Sequence, residues 1–369
     1  PTTPDSDLIL HAYLKWGESA PEHLLGDWSF AVWHPDEQRL FVARDHYGIT
    51  SLYYYQDNAR FAFAASRKAL HAIDVPQRLN ELYWAQVVIA WPAYHGERTI
   101  DLDIYRLPPA HAMRVTPTET KVWQYWRLEE TPALQLPRFQ DYVDGFLAVY
   151  REAVKARLRS PKPIGVTLSG GLDSGSVAAL AAPELAKRGE RLTAYTAVPL
   201  HPVDDFVPAQ RRFGDEGELA GETAVFVGNI DHHLLTSEQQ SLMSAMAVKQ
   251  AIHQEPTHAA ANSFWIVEMM QRAKADGIGV LLTGQGGNAG VSWTGGRPAS
   301  WRQKVLARLP KALQSKLIDW RLGPEPWRDR AAIRSDFAER IQLRRAIKQD
   351  TIHPWLPVNS DARQQRFRI

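Results

Sequence analysis

The 369 residues include no cysteine, which excludes disulfides, thiolate metal sites and thiol nucleophiles from the chain as given. No apolar run approaches the roughly 18 residues needed to cross a bilayer, and the opening PTTPDSDLIL lacks a basic stretch leading into an apolar one. A membrane partner is therefore not expected, and a cytoplasmic location is. Net charge is nearly missing as well: 43 Lys and Arg against 41 Asp and Glu leave +2, too weak a field to gather nucleic acid or anionic lipid over the whole surface. There is no internal repeat and no low-complexity tract. The first residue is Pro1 rather than Met, so a processed or trimmed chain is expected.

What is present is the composition of an ordinary folded protein, 44% apolar and 23% charged, at a length that predicts two domains, or two and a helical extension. The charge is unevenly placed. Residues 301–369 hold 16 basic and 7 acidic side chains, net +9, which leaves net −7 for residues 1–300. Such a basic end suits an anionic partner or a solvated helix surface.

From Trp28 to Ala64 the sequence alternates as half-buried strands do: WSFAVW, RLFVAR, SLYYY and RFAFA, with HPDEQ and QDN as turns. Leu8, Leu10, Ala12 and Leu14, interleaved with Ile9 and Tyr13, precede them in a short helical stretch. RLPPAHAMRV and KVWQYWRL read as two further strands. Residues 129–138, EETPALQLPR, carry two prolines and read as a linker. Beyond it Val143, Leu147, Tyr150, Val154 and Leu158 recur at spacings of three and four, predicting a helix over Phe139–Arg159. A strand IGVTL, a glycine turn, the helical VAALAAPELAKRG and a strand RLTAYTAV follow, the pattern of a parallel sheet. A second strand-to-glycine junction, GVLLTGQGGNAG, occupies 279–290. Ligands of open parallel sheets sit at the carboxyl ends of neighbouring strands, so the two glycine turns should face each other.

The first turn reads Ser169, Gly170, Gly171, Leu172, Asp173, Ser174, Gly175, Ser176. Paired glycines permit a close backbone approach, so successive N–H groups and the positive end of the following helix can meet one anion. Ser169, Ser174 and Ser176 add hydroxyl donors. Asp173 would repel a bare phosphate, which predicts a magnesium ion between them. The loop is not a Walker loop, because GxxxxGK[ST] is absent. The plainer alternative is a serine-capped helix after a glycine turn.

The string SGGxDS resembles the PP-loop of ATP pyrophosphatases, a resemblance that implies ATP as the nucleotide. LLGDWSFAVWHPDEQRLFVARDHYGITSLYYY resembles the second half of a class II glutamine amidotransferase domain, and TIDLDIYRLPPAHAMRV followed by YW resembles its end. SGGLDS, TAYT, DEGELAGETA and LLTGQGG then follow in asparagine-synthetase order, so about residues 5 to 300 resemble that family. The implied fold class is α/β: a partial N-terminal antiparallel Ntn-type α+β sandwich, then a parallel-sheet PP-loop (adenine nucleotide alpha hydrolase-like) domain with a helical C-terminal extension. The implied division is 1–128 amidotransferase-like, 129–138 linker, 139–300 synthetase and 301–369 basic extension.

Carried over by position, Asp5 matches the acid that receives the α-amino group of glutamine, while the family's catalytic cysteine is not in the sequence. Leu168 and Ala197 match positions that hold adenine through backbone groups, Ser169, Gly170, Gly171, Asp173 and Ser174 the pyrophosphate loop, and Thr283 and Gly284 the pair touching the adenylate. Gln285 is taken with Asp173 as catalytic, and Asn288, standing where the family has a metal-facing aspartate, as a second magnesium ligand. The family's catalytic lysine has no match in 301–369. Trp265, Trp293, Trp301, Trp320 and Trp327 are read as substrate groove or packing; His232, His233, His253 and His258 lack metal-site spacing.

The implied activity is ATP-dependent amide formation, releasing AMP and pyrophosphate. Its substrate is a small-molecule or peptide carboxylate. The missing cysteine, the QGGNAG loop and the basic end favour a lasso-peptide-type cyclase acting on a precursor peptide. A glutamine-hydrolysing asparagine synthetase is the alternative, and β-lactam synthetases share the logic. A tRNA-modifying PP-loop enzyme is a further alternative, opposed by the amidotransferase-like first domain, and a non-catalytic nucleotide-binding partner is the last.

Overall fold

A computed structural model describes residues 3–89, 96–202, 214–255, 260–287, 290–292, 308–310, 313, 316–317, 320, 327 and 331–349. The chain divides into two compact units, one holding the described residues up to Pro132 and those after Gly296, the other Ala133–Gly295.

In the first unit, helix α1 (Asp5–Trp16) precedes strands β1 (Ser29–His34), β2 (Arg39–Arg44), β3 (Tyr53–Gln56) and β4 (Phe61–Ala64). Helices α2 (Arg67–His71) and α3 (Glu81–Val88) follow, then β5 (Ile104–Arg106), β6 (His111–Val115) and β7 (Thr120–Gln124). Two antiparallel sheets result, ordered β1-β2-β6-β7 and β4-β3-β5. Successive side chains on β2 point to opposite faces, and both faces are buried. Phe41 and Ala43 pack with Ala12, Tyr13 and Trp28, whereas Val42 packs with Tyr54, Leu107 and Met113. This is the expected α+β sandwich, a helix layer over two sheets.

One expected strand is two. Within RLPPAHAMRV, Arg106 pairs with β3 in one sheet while Ala112–Val115 pair with β2 in the other. Pro108 and Pro109 have no N–H to give a ladder, and Ala110 takes φ 58°, so the chain changes sheets there.

The second unit opens on α4 (Phe139–Arg157), whose amphipathic spacing is as read, ending two residues sooner than expected. It continues with β8 (Ile164–Thr167), α5 (Leu172–Ala186), β9 (Leu192–Ala197), α6 (Gly217–Val227), β10 (Ile230–Leu235), α7 (Leu242–His253), α8 (Ser263–Ala275) and β11 (Val280–Leu282). All four strands are parallel, in the order β10-β9-β8-β11. Ile164, Val166, Leu168, Leu192 and Ala194 form its core with Val177, Ala178, Ala181 and Leu185 of α5. The chain moves outward from β8 to β9 to β10 and then returns to the other side of β8. That reversal puts a crevice at the carboxyl ends of β8 and β11, where both glycine turns lie.

Of the basic end, α9 (Ser335–Arg340) and α10 (Leu343–Gln349) belong to the first unit. Ala338, Leu343 and Ile347 pack there with Ala85 and Ile89 at α3 and with Trp327. No described helix is long and apolar enough to cross a membrane.

Candidate functional site

A cavity of about 1090 Å³ opens over the carboxyl ends of the parallel sheet. Leu168, Ser169, Asp173, Ser174, Ala197, Thr283, Gly284 and Gln285 all line it, so most of the residues singled out from sequence share one wall system. Helix α5 starts at the loop without a side-chain cap, which leaves first-turn N–H groups and the positive helix end for a ligand.

The loop is shaped by its own serines. The Ser169 N–H donates to Ser174 Oγ at 2.9 Å, the two hydroxyls lie 2.8 Å apart, and the Gly171 N–H donates to Ser169 Oγ at 3.2 Å. Ser176 serves a different purpose from the one expected. Its hydroxyl donates to the Asp173 carbonyl at 3.0 Å and meets Tyr150 Oη at 2.9 Å, tying α5 to α4. Gly170 packs against Leu219 of α6, where a Cβ would come within 2.9 Å of the Leu219 Cβ, and its N–H donates to Glu216 Oε2 at 3.3 Å. A carboxylate thus sits on an amide that the sequence pattern offers to a phosphate.

The second glycine turn closes directly on the first. A Cβ on Gly284 would lie 2.5 Å from the Ser174 backbone nitrogen, and one on Gly287 would overlap the Asp173 carboxylate. Only glycine permits that approach. Asp173 Oδ1 is buried there and finds no hydrogen-bond partner among the described residues. An unpartnered carboxylate oxygen in a polar wall suits a hard cation accompanied by phosphate oxygens and water. Asp173 therefore fits magnesium. Asn288, the other expected ligand, lies outside the described residues, and among those described no three His, Cys, Asp or Glu residues gather as a metal site.

Beneath the loop, Thr196 Oγ1 donates to the Leu168 carbonyl at 2.7 Å and lies 2.7 Å from His232 Nε2. Because the threonine proton goes to Leu168, the imidazole must be the donor in the second bond. Burial, helped by neighbouring His233, holds the His232 pKa below its ordinary value, consistent with a neutral ring. The Leu168 N–H donates to the Tyr195 carbonyl at 2.9 Å, so what Leu168 can offer a ligand is a carbonyl lone pair.

Sequence reading quoted Thr196 and Glu216 only inside the strings TAYT and DEGELAGETA, considered His232 only as a metal ligand, and missed the hydrogen bond from Ser237 to Glu268. The available signal was position: residues that end a strand or open the next helix of a parallel sheet lie at its carboxyl edge. Asp5 stands exposed in the first turn of α1. Trp265 lines the cavity, Trp327 is buried in the first unit and Trp320 is exposed, while Trp293 and Trp301 lie outside the described residues.

An SGGLDS turn and a second glycine turn meeting at the switch point of a parallel sheet define the PP-loop class of α/β unit. The asparagine synthase family profile matches residues 145–367, and the glutamine amidotransferase domain profile matches residues 1–126. The chain belongs to the asparagine synthase family. Glutamine-hydrolyzing asparagine synthetase 3 of Bacillus subtilis is 31% identical over 200 residues, 54% of this chain and 31% of that protein. Amidase chyE of Penicillium rubens is 30% identical over 291 residues, 77% of this chain and 42% of that protein. The chain thus spans less than half the length of these curated relatives. A solved NAD+ synthetase from Burkholderia pseudomallei is 15% identical, covering 60% of this chain and 92% of that one at a TM-score of 0.25.

Proposed function

We propose that the chain carries the ligase chemistry of its family: an ATP-dependent carbon–nitrogen ligase that adenylates a carboxylate and passes the acyl group to an amine. One observation carries this reading, the closure of the two glycine turns on each other around a cavity whose wall includes the unpartnered Asp173 oxygen. A carboxylate oxygen of the substrate attacks the α-phosphorus of ATP. The bond to the bridging oxygen breaks, and pyrophosphate leaves with the electron pair. The uncapped N–H groups of α5 stabilise that charge, each preorganised donor being worth about 3–4 kcal/mol. A magnesium ion held by Asp173, and by Asn288 if placed as the sequence implies, would neutralise phosphate oxygens. The amine then attacks the acyl carbon, AMP departs and the nitrogen loses a proton. Gln285, in the cavity wall, donates its amide N–H to the acyl oxygen.

Within the family the favoured specific reading is a lasso-peptide-type macrolactam cyclase, which joins a peptide's N-terminal amine to its own Asp or Glu side chain. What supports it is the QGGNAG loop, which stands where the family resemblance implies an acidic pair. The named Bacillus relative favours the second reading, an asparagine synthetase. Incubating the full chain with ATP and either aspartate plus ammonia or a precursor-type peptide separates them. Pyrophosphate release with aspartate alone defeats the cyclase reading.

A further inference from the structure

Beneath the cavity a polar chain joins strands that do not neighbour each other. Thr167 and Tyr195 form the last register pair between β8 and β9, and Leu168 lies just past it. There the Leu168 N–H still donates to the Tyr195 carbonyl, while the Leu168 carbonyl accepts from the Thr196 hydroxyl at 2.7 Å. That carbonyl and the Ser169 N–H belong to one planar peptide unit. The Ser169 end of the plane donates to Ser174 Oγ at 2.9 Å, so β9 grips it from one side and α5 from the other. The phosphate loop begins at this plane, and the tilt of the plane sets the path from Ser169 to Ser174.

Behind Thr196 stands His232 of β10. Ala194 is its direct partner across the ladder, and the imidazole reaches one step further along β9 to bring Nε2 within 2.7 Å of Thr196 Oγ1. The ring lies against α6, where a Cβ on Gly221 would come 3.9 Å from Nδ1. Thr196 is buried, and a buried hydroxyl costs free energy unless its hydrogen bonds are made. Valine has threonine's shape without that cost, so packing alone gives no reason for the pair. At the far end, the Ser174 nitrogen faces Gly284, where a Cβ would lie 2.5 Å away. The contacts therefore cross the whole sheet, from β10 through β9 and the loop after β8 to the turn after β11. Resting on the ligase reading above, we propose that His232 and Thr196 are positioning residues for ATP. The imidazole N–H orients the Thr196 hydroxyl, the hydroxyl fixes the Leu168–Ser169 peptide plane, and the plane holds the phosphate loop in its anion-binding shape. His232 acts only through Thr196, with its proton on Nε2, since the threonine proton is committed to Leu168.

The test is ATP binding to the full chain by titration calorimetry, with folding followed by far-ultraviolet dichroism. Thr196→Val and His232→Leu should each weaken ATP binding at least tenfold. The double variant should bind no more weakly than Thr196→Val alone, because both changes interrupt one chain. Thr196→Ser and His232→Gln, which keep the donors, should restore binding to within threefold of the unaltered protein. Long-range proton–nitrogen NMR of the unaltered protein should show His232 as the Nε2–H tautomer, a readout that holds even where a variant fails to fold. ATP affinity unchanged in the folded single variants, losses that add in the double variant, no rescue by serine or glutamine, or an Nδ1–H tautomer overturns the relay. Each of these leaves the ligase reading standing, because pyrophosphate exchange by the unaltered chain decides that separately. No binding of ATP by the unaltered chain overturns both together.

Discussion

Two glycines bring the second turn into contact with Asp173 and Ser174, and their replacement is the sharpest test at the scale of single residues. Gly284→Ala places a methyl group 2.5 Å from the Ser174 nitrogen, a backbone atom at the start of a helix that cannot yield cheaply. Pyrophosphate exchange should fall at least tenfold, with the far-ultraviolet dichroism of the folded chain retained. Glu216 occupies the Gly170 amide with a negative charge, so Glu216→Gln should tighten ATP binding severalfold in calorimetry by removing repulsion of the triphosphate. His46, His111 and His232 all have pKa values pushed below the ordinary imidazole value, chiefly by burial. Their unfolded forms take up a proton near pH 6.5 while the folded forms resist, so the stability they contribute is present above that pH and lost as pH falls. Melting temperature should drop between pH 7 and pH 5, and less steeply in His232→Gln, which keeps a donor to Thr196. The SGGLDS and TGQGG turns were legible in sequence because glycine in that number after a strand has few other uses. Glu216 and His232 were not, because their importance comes from neighbours supplied by other strands and helices.

At the scale of elements, α9 and α10 owe their place to an apolar seam rather than to their charge. Leu343 is fully buried against the α3 cluster, so Leu343→Ala should cost about 2–5 kcal/mol in a urea titration of the first unit's unfolding. Arg340 forms two hydrogen bonds to Glu81 at 2.6 and 2.9 Å, but both side chains are largely exposed. Arg340→Ala should change stability by less than about 1 kcal/mol. The antiparallel strands were readable because Phe41, Val42 and their neighbours follow the pleat. β10 was not, since Asp231, His232 and His233 interrupt its apolar run; an edge strand tolerates them because one side faces away from the sheet. RLPPAHAMRV was misread as one strand because a change of sheet leaves no mark in apolar alternation, only in its prolines.

For the whole molecule, the passage from two-residue alternation to helical spacing after the linker marked two kinds of fold in one chain, and the family profiles fall on either side of it. The function proposed for this member of the asparagine synthase family turns on one chemical event, cleavage of ATP between its α- and β-phosphates driven by a carboxylate. Isotope exchange between labelled pyrophosphate and ATP measures that event directly. The account predicts exchange that requires both ATP and a carboxylic acid substrate, yields AMP rather than ADP on turnover, and disappears in Asp173→Ala. Exchange undiminished in Asp173→Ala, or turnover that yields ADP and inorganic phosphate, would contradict it.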